Sequence, residues 1–317
     1  MNLETDNKQP HRIDIHHHIL PPAYLSTLEI LKINTLRRDS FPNWSIEQSI
    51  KMMDRQKIAK AFTSISSPGV YFKNGSFSRN LARICNEYSS ILVRKYPERF
   101  GAFASLPLPD VEGALIELDY VIDELQLDGI VLLSNVNGKY LGEPEYEELF
   151  AELNKRKLTV FIHPNNPPKK SVNPFVEYTH EVTRTIASLL IDNRLLKYPD
   201  IKYILAYAGG TIPFSTNRLY AVGLNIKWSL LKVLTDMMKK TVAIKRMYFD
   251  TAAIDSYSLQ ALLKTVNSKQ ILFGSNFFWT PESMIEEQLN SLRSHSKINN
   301  KAMEAIEYKL AQKMLST

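Results

Sequence analysis

The segment Arg12-Ile13-Asp14-Ile15-His16-His17-His18 combines the pattern of a buried strand with three consecutive histidines. Residues Arg12–His16 form the first of eight short runs rich in β-branched or aromatic residues. Several of these runs are almost wholly apolar, as strands buried on both faces are. The other seven runs are Ala59–Ile65, Phe100–Leu106, Gly129–Leu133, Leu158–Ile162, Ile201–Ala206, Arg246–Thr251 and Gln270–Gly274. The sequence therefore predicts eight buried strands.

Amphipathic segments separate most of these strands. A capping box at Ser45–Gln48 opens one of them, and Asp110 opens another whose apolar positions follow the 3.6-residue helical period. Eight alternating strand and helix units in 317 residues fit an α/β fold, the (β/α)8 TIM-like barrel, which typically takes about 250 residues. A doubly wound sheet is the alternative, but it normally has five or six strands and often a glycine-rich first turn. We expect residues 1–317 to form a single domain with a flexible tail at residues 1–10.

Composition excludes several classes of protein. The chain is 44% apolar and 23% charged, which is typical of a soluble globular protein, and its one cysteine excludes a disulfide framework. No run approaches the roughly 18 apolar residues of a membrane span, and the polar N-terminal segment is unlike a signal peptide. These features predict a cytoplasmic protein that does not bind membranes.

The net charge of +6 does not indicate a nucleic-acid partner. The lysines are dispersed, and no nucleic-acid-binding motif is present in the sequence. A mild positive field instead favours a small anionic substrate, because such a field concentrates anions near the protein.

The strand ends carry histidines, and reacting groups of a barrel lie at the carboxyl ends of its strands. His16 and His18 are two residues apart, so their imidazoles lie on the same side of the strand while His17 points away. His163 ends the fifth strand. Three imidazoles are enough for a zinc site that keeps its fourth position open. We therefore predict a site for zinc or another divalent metal at His16, His18 and His163, with buried, hydrogen-bonded histidines as the alternative.

Four motifs together resemble the amidohydrolase superfamily, and within it the branch of 2-amino-3-carboxymuconate-6-semialdehyde decarboxylase. The motifs are Asp14-Ile15-His16-His17-His18 with Pro21, Ile162-His163-Pro164, Ala208-Gly209-Gly210 and Phe273-Gly274-Ser275. The resemblance runs from about Ile13 to the C-terminus. It implies a metal-dependent barrel enzyme that decarboxylates or hydrolyses a small carboxylated, aromatic or cyclic substrate. It also implies a possible homodimer.

The chain departs from this family at two positions. The resemblance marks the residues at these two positions as candidate catalytic residues. The usual histidine before Ala-Gly-Gly is Tyr207, and the usual metal-binding aspartate after Gly-Ser is Asn276. A tyrosine of ordinary pKa, about 10, donates a hydrogen bond at pH 7 but is a poor base. Hydrolysis needs a deprotonated water, so decarboxylation is favoured. The alternative is a catalytically impaired barrel that serves as a ligand-binding or interaction protein.

Three arginines are candidates for binding an anionic substrate. In the resembling decarboxylases an arginine in the region of Arg218 reaches a substrate carboxylate, in some cases across a dimer interface, and arginine suits such bidentate pairing. Arg37 and Arg38, in the loop after the first strand, are weaker candidates. Trp279 follows Asn276 closely enough to form a wall of a substrate pocket.

Overall fold

A computed structural model describes residues 11–33, 41–42, 44–168, 174–224 and 229–315 of the chain. Within these ranges eight parallel strands pair in the order in which they occur in the sequence. The strands are Arg12–His18, Ile58–Ser64, Phe100–Ser105, Gly129–Leu133, Thr159–His163, Lys202–Leu205, Tyr248–Asp250 and Ile271–Leu272. All eight predicted strands are therefore present.

Hydrogen bonds between the first strand and the segment that follows the eighth close the sheet into a barrel. The Ile15 N–H donates to the carbonyl of Phe273 at 3.1 Å, and the Asn276 N–H donates to the carbonyl of His16 at 2.7 Å. The His18 N–H donates to the carbonyl of Phe277, also at 2.7 Å. The predicted (β/α)8 barrel is confirmed.

Helices follow most of the strands. Their bounds are Pro22–Ile30, Ile46–Arg55, Gly75–Lys95, Val111–Asp119, Glu147–Lys155, Pro174–Ile191, Arg194–Lys197, Ile212–Tyr220, Leu230–Ile244, Ser256–Thr265, Glu282–Ser294, Asn300–Glu304 and Leu310–Leu315. None of the helices in the described part of the chain is long and apolar enough to cross a bilayer. The predicted capping box is present, because the Ser45 hydroxyl accepts from the Gln48 N–H and the Gln48 side chain accepts from the Ser45 N–H.

Two local features differ from the sequence prediction. The amphipathic pattern of the sequence predicts one helix over Tyr178–Leu196, but the structure has two helices there, Pro174–Ile191 and Arg194–Lys197. Asn193, between them, has a left-handed φ of +57°, which is incompatible with a continuous α-helix. Asn135–Val136 and Lys139–Tyr140 form a small antiparallel hairpin after the fourth barrel strand. Strands of two residues are too short to show an alternating pattern in the sequence.

Asn86 joins the third strand to the helices outside it. Its amide nitrogen donates to the Ser105 carbonyl at 2.9 Å and to a Glu117 carboxylate oxygen at 2.8 Å, and its amide oxygen accepts from the Ser105 N–H at 2.8 Å. Asn86 and Glu117 are both buried. The Asn86 amide therefore pairs with both backbone groups of Ser105, at the end of the third strand, and with the buried carboxylate of Glu117.

Replacing Asn86 with alanine removes the side-chain partner of both Ser105 backbone groups and one of the donors to Glu117, which keeps its ion pair with Arg83. We therefore expect Asn86→Ala to lower the free energy of unfolding by about 1–3 kcal/mol. Asn80→Ala is the matched control, because Asn80 is exposed on the same helix and we expect a change within about 0.5 kcal/mol. Urea unfolding followed by circular dichroism measures both. Equal stabilities for the two variants would contradict this role of Asn86.

Candidate active site

Three imidazoles meet inside the carboxyl end of the barrel. His16 and His18 project from the first strand and His163 from the end of the fifth, and all three are buried. The Nε2 atoms of His16 and His18 are 3.0 Å apart, and one ring nitrogen from each of the three residues falls within 4.8 Å of the others. His17 points away, as its position predicts, and its two ring nitrogens lie near Asp14 and Ser49. The structure thus brings together the three predicted metal ligands.

The other ring nitrogen of each histidine lies next to an oxygen acceptor. The Nδ1 atom of His16 is 2.5 Å from Oδ2 of Asp250, and that of His163 is 2.8 Å from the Pro164 carbonyl. The Nδ1 atom of His18 is 3.3 Å from the Ser64 carbonyl. A proton on each Nδ1 satisfies these acceptors and leaves each Nε2 with a free lone pair. Three converging lone pairs fit a divalent cation, and the Nε2 atom of His163 has no hydrogen-bond partner among the described residues.

Burial also keeps two of these imidazoles neutral. Desolvation lowers the pKa of His18 well below its ordinary value, and the nearby His163 and His16 lower it further. The pKa of His163 is lowered in the same way, by burial first and then by His16. Neutral imidazole is the form that binds metal ions. The electrostatics of the site therefore favour the metal-binding protonation state.

Asp250, at the end of the seventh strand, organises the site in a way that the sequence did not indicate. Its Oδ2 accepts from Nδ1 of His16, while its Oδ1 accepts from the backbone N–H of Tyr207 at 2.8 Å and of Ala252 at 3.1 Å. Asp250 is completely buried. It therefore orients one candidate ligand and one candidate catalytic residue at once. The only sequence signal for it is a carboxylate at a strand end.

Tyr207 and Asn276 lie beside the histidines. The Tyr207 ring is partly buried, and its centroid is 5.4 Å from that of His16 and 6.2 Å from that of His163. The amide nitrogen of Asn276 donates to Thr280 at 2.9 Å, and its buried amide oxygen has no hydrogen-bond partner among the described residues. Both residues have a left-handed φ of +53°. This backbone conformation is unfavourable for a bulky residue such as tyrosine, so tertiary contacts must stabilise it at Tyr207.

The Ala-Gly-Gly motif after Tyr207 has a steric explanation. Gly210 has a φ of +67°, and a Cβ atom there would lie 1.9 Å from the carbonyl oxygen of Thr179. Only glycine allows the helix Pro174–Ile191 to approach this turn so closely. The motif therefore positions the turn that carries Tyr207.

A cavity of about 590 Å³ opens next to Tyr207 and Asn276. Trp279 lines it, as the sequence predicts. Arg218 is exposed in the last turn of the helix Ile212–Tyr220 and is not among the described residues of the cavity wall. The structure does not bring Arg218 to the histidines within one chain. Arg37 and Arg38 lie outside the described residues.

The lowered pKa values of His18 and His163 predict a pH-dependent stability for the metal-free protein. In the unfolded chain both imidazoles return to an ordinary pKa of about 6.5, so below this pH the unfolded state binds more protons than the folded state. We expect the free energy of unfolding to fall as the pH decreases from 6.5 towards 5.5, by at most about 1.4 kcal/mol per pH unit for each histidine. Urea titrations in the presence of a chelator measure this slope.

The variant His163→Gln removes one of the two titrating groups and is expected to make the slope shallower. A slope that is unchanged in His163→Gln, or a stability that rises as the pH falls through this range, would contradict the neutral state of the buried histidines.

Comparison with known proteins agrees with this geometry. The amidohydrolase family model matches residues 13–314. Decarboxylase macB of Penicillium terrestre is 33% identical, with 89% of this chain and 88% of that protein covered. The 6-methylsalicylic acid decarboxylase acuB of Aspergillus aculeatus is 32% identical, with 86% of each chain covered.

A solved structure shares the fold. The dihydroxybenzoic acid decarboxylase of Polaromonas sp. JS666, solved with bound manganese and an inhibitor, superposes with a TM-score of 0.80 at 18% identity and 97% coverage of both chains. A more distant relative, at 26% identity, is the 2-amino-3-carboxymuconate-6-semialdehyde decarboxylase of Dictyostelium discoideum, which confirms the predicted branch. The chain therefore belongs to the amidohydrolase family, as an enzyme of the branch that contains these decarboxylases.

Proposed function

We propose that this enzyme is a metal-dependent decarboxylase of a small aromatic acid. The observation that carries the proposal is the convergence of three buried Nε2 atoms, whose Nδ1 partners leave them free to bind a cation. The relatives that decarboxylate 6-methylsalicylic acid and dihydroxybenzoic acid support this class of substrate.

His16, His18 and His163 would hold the metal, and the neutral amide oxygen of Asn276 is an additional oxygen donor beside them. Imidazole ligands suit zinc, so we propose zinc, with manganese as the alternative because a related structure contains it. A divalent cation at this position supplies a Lewis acid that binds and polarises a carboxylate. Asp250 would keep the His16 ring in the tautomer and orientation that binding requires.

Decarboxylation breaks the bond between the ring carbon and the carboxylate, and the electron pair left on the ring carbon takes up a proton as CO2 leaves. Neither Tyr207 nor Asn276 is a carboxylate, so neither serves readily as the base that water activation requires. The Tyr207 hydroxyl would donate a hydrogen bond to the substrate. This donor set supports decarboxylation over hydrolysis.

Three further predictions from the sequence remain proposals. Arg218 is exposed at the end of its helix, so it would anchor an anionic group only if a second copy of the chain brought it to a neighbouring site. That arrangement requires the predicted homodimer. The cytoplasm remains the proposed compartment.

We expect the metal-loaded enzyme to release CO2 from 6-methylsalicylate and the chelator-stripped enzyme to be inactive until zinc or manganese is restored. Tyr207→Phe should lower kcat by about 10²-fold or more, because it removes a donor beside the reacting group. Tyr257→Phe is the matched control, since Tyr257 is 79% exposed on the helix Ser256–Thr265 and is not among the described residues of the cavity wall. Infrared detection of CO2 with purified protein measures these rates.

The double variant Tyr207→His with Asn276→Asp separates this proposal from a catalytically impaired barrel. If the metal-loaded wild type releases no CO2 from a panel of hydroxybenzoates while the double variant does, the decarboxylase proposal fails and the impaired barrel is supported.

A further inference from the structure

A large cavity lies beside Tyr207 and Asn276. We infer that the substrate carries a single carboxylate and a bulky, uncharged, largely apolar substituent, and that this substituent fills the cavity. The inference rests on the proposed function, because the carboxylate is taken to lie at the three histidines, which adjoin Tyr207 but do not themselves line the cavity. The cavity wall would then select the substrate by its substituent.

The cavity is larger than a single aromatic ring requires. A methyl-substituted hydroxybenzoate has about 11 non-hydrogen atoms, and at no more than the roughly 30 Å³ that a water molecule takes in the liquid it fills at most about 330 Å³. The cavity measures about 590 Å³. This leaves space for a substituent much longer than a methyl group.

The wall of the cavity carries no charge among the described residues. Its polar side chains belong to two tyrosines, two threonines, one serine and one asparagine, and its other residues are apolar or small. A second carboxylate in this space would lose its hydration without gaining a cationic partner from the described wall, which is costly. The described wall therefore favours an uncharged substituent.

Three apolar side chains from different elements form much of the wall. Phe214 lies on the helix Ile212–Tyr220, Ile254 follows the seventh strand and Met284 lies on the helix Glu282–Ser294. Phe214 is 71% exposed and Met284 is 44% exposed. An apolar substituent in the cavity would cover this exposed surface, which favours its binding through the hydrophobic effect.

The test uses a series of 3-alkylphenols with methyl, propyl and pentyl chains, which retain the ring and the substituent but have no carboxylate to lose. Isothermal titration calorimetry on the metal-loaded enzyme measures their affinities without turnover. Each buried methylene contributes about 0.8 kcal/mol, so we expect about fourfold tighter binding per methylene. A phenol whose pentyl chain ends in a carboxylate should bind at least tenfold more weakly than 3-pentylphenol.

Two variants locate the bound chain. Met284→Trp fills the cavity and should abolish the gain in affinity with chain length. Ser258→Phe fills the cavity from a different helix, Ser256–Thr265, and replaces the first variant if Met284→Trp does not fold. Met238→Trp is the matched control, because Met238 is 69% exposed on the helix Leu230–Ile244, outside this cavity wall, and should retain the gain.

Equal affinities across the series would overturn the inference, as would a gain that survives in both cavity-filling variants. These binding results do not depend on CO2 release. An inactive enzyme that binds the series as expected would count against decarboxylation alone, and an active enzyme with no preference for longer chains would count against the inference alone.

Discussion

The buried carboxylate of Asp14 ties the first strand of the barrel to the segment after the last. Its Oδ1 accepts from the backbone N–H groups of His16 at 3.0 Å and Ser275 at 2.8 Å, while its Oδ2 accepts from the Ser275 hydroxyl at 2.5 Å and lies 3.1 Å from Nδ1 of His17. A carboxylate that accepts several hydrogen bonds is well satisfied in a buried position. The closed barrel and the orientation of the histidine segment both depend on this group.

A second buried carboxylate, that of Asp250, makes similar hydrogen bonds in the candidate active site. Asp250 contacts the His16 ring with one oxygen and the Tyr207 backbone with the other. The candidate metal ligand His16 and the turn that carries Tyr207 are therefore positioned by the same side chain. The three candidate metal ligands lie together beside Tyr207 and Asn276, the two residues that the family resemblance marks as changed. This arrangement supports our proposal of altered rather than absent chemistry.

The predictable part of the site is the part encoded locally. The two-residue spacing of His16 and His18 within a strand sets their common direction, and the position of His163 at a strand end sets its place in the barrel. The role of Asp250 was not predictable in this way, because its partner His16 lies 234 residues away in the sequence. The left-handed backbone of Tyr207 likewise depends on contacts with distant elements, which no sequence period reports. The size of the cavity depends on packing among several helices and is also invisible in the sequence.

X-ray absorption spectroscopy at the metal edge of the loaded protein tests the central claim most directly. We expect three imidazole nitrogens, at about 2.0–2.1 Å if the metal is zinc, together with oxygen donors. The variant His163→Ala should then show two imidazoles in the spectrum. A wild-type protein that binds no stoichiometric divalent metal, or a spectrum with fewer than three imidazoles, would contradict the assignment of His16, His18 and His163 as the metal site.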